Sequence, residues 1–289
     1  MVFSRYEQKY LLFTLGVPNA TAPRPCTPDG FPEHPRYLGA PPWLGAVSLY
    51  TSAHPSGPWR LREGGPIAYG LNANPTVWVD DHTGEITLVW GYFNMPHRPH
   101  VRHYAVARAR NSSARFVRLG DLPDSLAPPS SCAPPDAPKG SPWRKCACNN
   151  EDPFLFRSPP PSRRWMLLFH QYTLATAPNN KSQPCQAMLS PHAPPDPSVA
   201  AVGGFAHSLT PDILGEWSYD YWRPAYAMAA DYVGGDGDAP PLVRRERPKL
   251  LMGADGQPRW LYNGVCLSET GRGQRQCFTF GQQILGMKL

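Results

Sequence analysis

Thirty-seven prolines and 25 glycines in 289 residues constrain this chain more than any other feature. Proline fixes φ and lacks an N–H, so it breaks helix interiors, and glycine weakens them. Many short strands joined by turns are therefore expected in place of long helices. Hydrophobic residues make up 41% and aromatics 11%, enough for a sizeable core. No stretch reaches the roughly 18 apolar residues that cross a membrane, so no membrane span is expected. The run Tyr10-Leu11-Leu12-Phe13-Thr14-Leu15-Gly16-Val17 is short and has no convincing cleavage site. It reads as a strand rather than a signal peptide.

The formal charge is +6 and arginine far outnumbers lysine. A basic balance permits binding to nucleic acid or acidic polymers. The arginines are scattered, however, and the one dense run, Arg244-Arg245-Glu246-Arg247, carries an acid in its middle. A solvated basic surface is expected, with no nucleic-acid partner. The seven cysteines include Cys146 and Cys148 in a C-x-C arrangement. That is not the spacing of a zinc ribbon, and no other group has metal-ligand spacing. Neither a metal nor a cofactor is expected. Several cysteines fall in proline-rich segments, and sequons occur at Asn19, Asn111 and Asn180. Together these point towards an extracellular or secretory-pathway protein, with a cytosolic protein bearing free thiols as the alternative.

Taken in order, strands are expected at residues 9–16, 46–50, 74–79, 85–90, 101–109, 114–119, 153–156, 164–170, 245–251, 259–265 and 278–281. Residues 18–42, 121–142 and 173–200 are proline-rich; the last two read as insertions. Asn74-Pro75, Asp152-Pro153 and Arg247-Pro248 each open a strand that turns back into an aromatic-rich partner. A strand tolerates proline at its first residue, which need not donate to the ladder. Ser52 to Trp59 and Ser208 to Trp217 share a second form: serine, a polar turn, glycine, then tryptophan. Repeated sheets with few helices indicate an all-β chain, a single β-propeller domain over residues 1–289. A β-sandwich is the runner-up, but it leaves the recurring polar-Pro step unexplained.

Glu151-Asp152-Pro153-Phe154, Gly203-Gly204-Phe205-Ala206-His207-Ser208 with Trp217, and Arg244-Arg245-Glu246-Arg247-Pro248-Lys249-Leu250 resemble the five-bladed β-propeller glycosidases of glycoside hydrolase family 43. They resemble the invertase-like family 32 more distantly. The resemblance covers most of the chain from about residue 45. It implies three acids at the mouth of a central channel. By motif, Asp152 tunes pKa and orients substrate, and Glu246 is the general acid. The first-blade base has no counterpart: residues 9–16 resemble the second strand of blade one, so the propeller is expected to be incomplete at its N-terminus. Asn74 holds the Asp-Pro-like position of blade two, where it cannot act as a base.

Glycosidic cleavage needs a protonated acid near the leaving oxygen and a second carboxylate across the sugar ring. Arg245 and Arg247 flank Glu246 and, on a regular strand, point to the opposite face. A nearby Asp152 raises one carboxyl pKa by like-charge repulsion, with Glu246 the expected bearer. The other reading of Glu246 is a salt bridge that links blades, and of Asp152 a turn cap. Glu151, on the other face, reads as structural. Asn74, Trp90, His170, His207 and Arg245 are the candidate substrate-binding residues. Each histidine also fits a buried structural role, and Trp90, like Trp78, also fits core packing. The expected function is hydrolysis of glycosidic bonds in a cell-wall polysaccharide or oligosaccharide by a monomer. The alternative is a catalytically silent propeller that binds carbohydrate or protein. The odd cysteine count leaves at least one thiol free, so titration of denatured, unreduced protein from a secreting host should find fewer than seven thiols but at least one. Seven reactive thiols would contradict the extracellular assignment.

Overall fold

The computed structural model describes residues 1–15, 46–69, 74–93, 102–127, 139, 146–175, 201–220, 225–227, 242–267 and 277–284. These residues are all-β: antiparallel strands and one 3-10 turn, Asp124–Leu126. The chain forms two compact units, Met1–Asp124 and Ser125–Leu289.

The first unit holds two sheets. One runs in order β1 (Val2–Ser4), β2 (Lys9–Leu15), β3 (Ala46–Ser52), β4 (Arg60–Leu61), with β5 (Ala68–Tyr69) on the other end of β3. The other runs β6 (Thr76–Val79), β7 (Ile86–Phe93), β8 (Arg102–Ala109), β9 (Val117–Asp121). From Ile86 to Trp90, strand β7 is buried on both faces. Ile86, Leu88 and Trp90 are buried on one side, and Thr87 and Val89 on the other. A strand closed in on both faces needs such a run, and each fully buried aliphatic side chain contributes about 1.5–3 kcal/mol. Leu11, Val47 and Leu49 of the first sheet pack with Ile86, Leu88 and Trp90 of the second. Glu7 ties the rims together by accepting hydrogen bonds from the Ser112 amide (3.0 Å) and hydroxyl (2.9 Å).

The second unit repeats the plan. Its first sheet runs β10 (Cys146–Arg157), β11 (Trp165–Ala175), β12 (Ala201–Ser208), β13 (Trp217–Tyr219), with β14 (Tyr226–Ala227) on the other end of β12. Its second runs β15 (Leu242–Met252), β16 (Pro258–Leu267), β17 (Cys277–Gln283). Phe156, Met166 and Leu168 pack with Tyr226 and Leu261, flanked by Phe205 and Leu250.

Each sheet is a meander in which sequence neighbours are hydrogen-bonded neighbours, the form of one propeller blade. Among the described residues no strand crosses between sheets, as the Greek-key connections of a sandwich require. Four such sheets are present among the described residues, where the resemblance implies five. Lys9–Leu15 is second in its sheet, as expected. The Ser-to-Trp repeat now has a physical basis. Ser52 and Ser208 end the third strands of two sheets, both buried, and a turn leads from each into a short fourth strand. The Ser52 hydroxyl accepts from the His54 amide (3.1 Å), and the Ser208 hydroxyl accepts from the Trp165 amide (2.9 Å).

Some boundaries differ from expectation. The strand expected at 114–119 forms at Val117–Asp121, because Asn111 Oδ1 holds the Ser113 and Ala114 amides in a turn (3.0 and 2.9 Å). That turn contains one of the three sequons. The segments expected as insertions begin inside structure: residues 173–175 complete β11, and 121–127 carry the end of β9 and the 3-10 turn. Residues 128–138, 140–142 and 176–200, with 18–42 and the other two sequons, lie outside the described residues.

Cys266 and Cys277 face each other across β16 and β17 and form a disulfide that closes an 11-residue separation. A closed loop of that size is worth about 3 kcal/mol in the chain-entropy account. No helix among the described residues is long and apolar enough to cross a membrane. Gly203 is the tightest packing point near the second core, since a Cβ there would meet the Tyr226 ring at 2.1 Å. Gly203→Ala should therefore destabilise the protein by about 1–3 kcal/mol in urea unfolding, more than any exposed Gly→Ala change.

Candidate functional site

The site grows from the pairing of β10 with β11. Asn150 lies opposite Gln171, and Glu151 opposite His170. Directly opposed residues share a face of the sheet, and the next pair points the other way. On one face the Tyr219 hydroxyl donates to Asn150 Oδ1 (3.0 Å) and accepts from Gln171 Nε2 (2.8 Å). On the other, His170 Nδ1 meets Glu151 Oε1 at 3.0 Å. The regular ladder then stops. Asp152 takes a left-handed φ of 51°, and the register shifts between Glu151 and Phe154.

Strand β15 does the same. Glu246 lies opposite Gly264, Arg247 takes φ 57°, and the register shifts between Glu246 and Lys249. Glu151, Asp152, His170 and Glu246 consequently converge: one oxygen or nitrogen of each lies within 4.8 Å of all the others. The side chains of Glu151, His170 and Glu246 keep 21%, 10% and 13% of their surface exposed, so the group is shielded yet reachable. The three carboxylates and one imidazole are a donor set of the type that holds a divalent cation. Linear spacing did not reveal it, because the donors come from separate strands.

Burial pushes the Asp152 carboxyl above its ordinary value, and the charges of Glu151 and Glu246 add to the rise. His170 and Arg247 oppose it. The rise expected of the acid pair thus falls on Asp152. Arg247 does not point away from Glu246 as strand alternation predicts. Its left-handed backbone turns it back, with Nε 3.7 Å from Glu246 Oε1. Its own side chain is 71% exposed, so solvent screens much of that pairing. Glu151 was likewise expected on the other face, and is instead part of the cluster.

The remaining candidates separate. His170 is in the group. Arg245 is 1% exposed and faces away from Glu246. Its guanidinium donates to Asn263 Oδ1 (3.0 Å) and Gln282 Oε1 (2.8 Å), and lies 4.9 Å from the centre of the Tyr226 ring. It is enclosed by packing. His207 pairs with Met166 at the opposite end of β12 from Gly203, the partner of His170. Four strand residues separate the two, about 13 Å at the usual rise, so His207 lies away from the carboxylates. Burial and the nearby Arg164 charge lower its pKa. Trp90 belongs to the first unit, where it is 1% exposed in the core, so it has no free face for a sugar ring. Asn74 is also in the first unit, with φ 29° before its proline, the same backbone state as Asp152 and Arg247.

Tyr226 was missed by sequence reading because its two-residue strand has no periodicity. Its hydroxyl donates to the Phe169 carbonyl (3.3 Å), and burial pushes its pKa above the ordinary tyrosine range. Glu151 was missed for a different reason, since alternation from Phe154 backwards fails at the bulge.

No family model and no curated protein matches the chain. Among solved structures it is similar to a thermostable family-43 glycoside hydrolase, at 14% identity and a TM-score of 0.44, over 82% of this chain and 62% of that one. It is also similar to an endo-arabinase from Bacteroides thetaiotaomicron, at 12% identity and a TM-score of 0.43, over 84% and 68%. A third is a family-43 β-1,3-galactosidase solved with galactodeoxynojirimycin, at 12% identity and a TM-score of 0.42, over 96% and 73%. The chain thus spans less than two thirds of the length of the first of these.

The Asp152 shift has a measurable consequence. A carboxyl with a raised folded pKa binds its proton more tightly in the folded than in the unfolded state. Its contribution to stability is complete below the unfolded value and is lost as pH rises through the folded one. Asp152→Asn removes this dependence. The urea midpoint of the variant should rise relative to wild type as pH increases from about 4 to 7. A difference that is flat or falling over that window would contradict the assignment.

Proposed function

We propose that the second unit carries a glycosidase site acting on furanosides or xylosides of a cell-wall polysaccharide or oligosaccharide. The observation that carries this reading is the convergence of Asp152 and Glu246, from separate sheets, within 4.8 Å of one another and of His170. Hydrolysis of a glycosidic bond needs a proton donor and a second carboxylate brought together at one site. Glu246 acts as the general acid: it gives its proton to the leaving oxygen as the bond to the anomeric carbon lengthens. Asp152 orients the sugar. His170 is placed to donate to a sugar hydroxyl or to a site carboxylate. The partner is a carbohydrate, and the chain works as a single propeller domain in an extracellular or secretory compartment. The Cys266–Cys277 disulfide supports that location.

A silent carbohydrate-binding propeller is the competing reading, and it is favoured by the position of Arg247 beside Glu246. Glu246→Gln separates the two. It keeps the shape of the side chain and removes the proton donor. Hydrolysis of aryl arabinofuranosides and xylosides should fall about 10²–10⁴-fold while binding of the same sugars persists. A wild-type protein that binds these sugars without cleaving them would establish the silent form.

A further inference from the structure

The proposed hydrolysis uses one charged residue of β15, Glu246, and leaves Arg247 and Lys249 without a task. Pairing with β16 sorts the residues of this strand by face. Arg245 lies opposite Val265 and Leu250 opposite Leu261, and this face is packed into the core. Glu246 lies opposite Gly264 and Lys249 opposite Tyr262. Opposed residues share a face, and Tyr262 and Gly264 stand two apart on one strand, so all four belong to the face that bears the site. Gly264 leaves room there, since a Cβ on it would meet only Glu246, at 3.8 Å.

Both cations at this face have donors to spare. Arg247, turned by its left-handed φ of 57°, holds Nε 3.7 Å from Glu246 Oε1, too far for a hydrogen bond, and keeps 71% of its side chain exposed. Lys249 is also exposed. Among the described residues its ammonium pairs with no carboxylate; it donates to the Pro153 carbonyl at 3.5 Å and lies 5.4 Å from the centre of the Phe154 ring. Partial burial of the ammonium lowers its pKa, Asp152 opposes the fall, and the Arg247 charge adds to it. The two cations thus repel each other, and an anion set between them relieves that repulsion.

We infer that Arg247 and Lys249 form an anion subsite, and that the substrate is an acidic saccharide with a carboxylate or sulfate on a unit seated beside Glu246. This rests on the glycosidase reading above and narrows its substrate class. Arg247 is the stronger half: its planar guanidinium stays charged and matches two oxygens of a carboxylate or sulfate at once. Lys249 adds a point charge two residues further along the strand. The three carboxylates repel an anion, so the anionic group lies against the cations and the neutral ring against the carboxylates.

The test measures binding to the full chain by calorimetry at low salt. The ligands are xylotetraose, the same oligosaccharide with one glucuronic acid branch, and the same oligosaccharide with one O-sulfate. At least one acidic ligand should bind about tenfold or more tightly than the neutral one, and whichever does so identifies the anion. Arg247→Gln and Lys249→Gln should each lose most of that preference with an unchanged thermal midpoint. Arg259→Gln should keep it, because Arg259 is a 58% exposed cation five residues along β16 from Gly264. Equal affinity for all three ligands, no binding of any, or a preference lost as fully in Arg259→Gln as in Arg247→Gln would overturn the subsite. Hydrolysis of neutral aryl xylosides by the wild type tests the glycosidase reading separately. Hydrolysis without an acidic preference would remove the subsite alone. An acidic preference without hydrolysis would keep the subsite and place it on a silent propeller.

Discussion

The site depends on one backbone constraint, a left-handed residue held directly before a proline in the middle of a first strand. A residue before proline is pushed towards extended conformations, so a positive φ there is costly. Such strain is of order 1–3 kcal/mol per residue. Asp152 and Arg247 both carry it, with φ of 51° and 57°. The strain persists because strands on either side are locked, β10 by β11 and β15 by β16. The bulge it creates puts Glu151 and Asp152, adjacent in sequence, into the same group. A regular strand would send them to opposite faces.

Around that constraint the two faces of each sheet divide the work. In the third sheet one face holds the neutral network of Asn150, Tyr219 and Gln171, and the other holds the ionisable group. In the fourth, Arg245 is drawn to the side away from Glu246, where Asn263, Gln282 and the Tyr226 ring satisfy its planar cation. Three carboxylates at close range cost stability, and the burial of Asp152 adds to that cost. Repulsion and desolvation of this kind are the ordinary means by which a carboxyl pKa is raised. The surrounding core, with both faces of β11 buried from Trp165 to Gln171, supplies the rigidity that holds the charges together.

Much of this was legible in the sequence. The proline and glycine content announced an all-β chain, and Asn74-Pro75 marked the opening of a first strand, whereas Asp152-Pro153 and Arg247-Pro248, expected to open strands, fall at bulges inside Cys146–Arg157 and Leu242–Met252. The Ser-to-Trp repeat marked the ends of third strands. The match of Glu-Asp-Pro and Glu-x-Pro to a glycosidase pattern picked out Asp152 and Glu246, and the structure brings them together. The surroundings of Arg245, His207 and Trp90 were not legible, for separate reasons. Arg245 is polar but finds buried neutral partners, which no charge count reveals. His207 ends a strand, but at the end set by pairing with Met166. Trp90 lies on a strand with two apolar faces, and either face fits a core.

What the sequence determined by itself was the element type, because proline geometry and strand periodicity are local properties of a few consecutive residues. It also determined which residue kinds stand at each strand mouth. Only the tertiary structure decided which side chains meet. Glu151 joined the site, and Arg247 turned back onto Glu246, through a dihedral change at a single residue next to each. That change is stable only when cross-strand hydrogen bonds and packing hold the chain on both sides of it. Those partners lie far away in the sequence, so the face on which a glutamate emerges was settled by the fold.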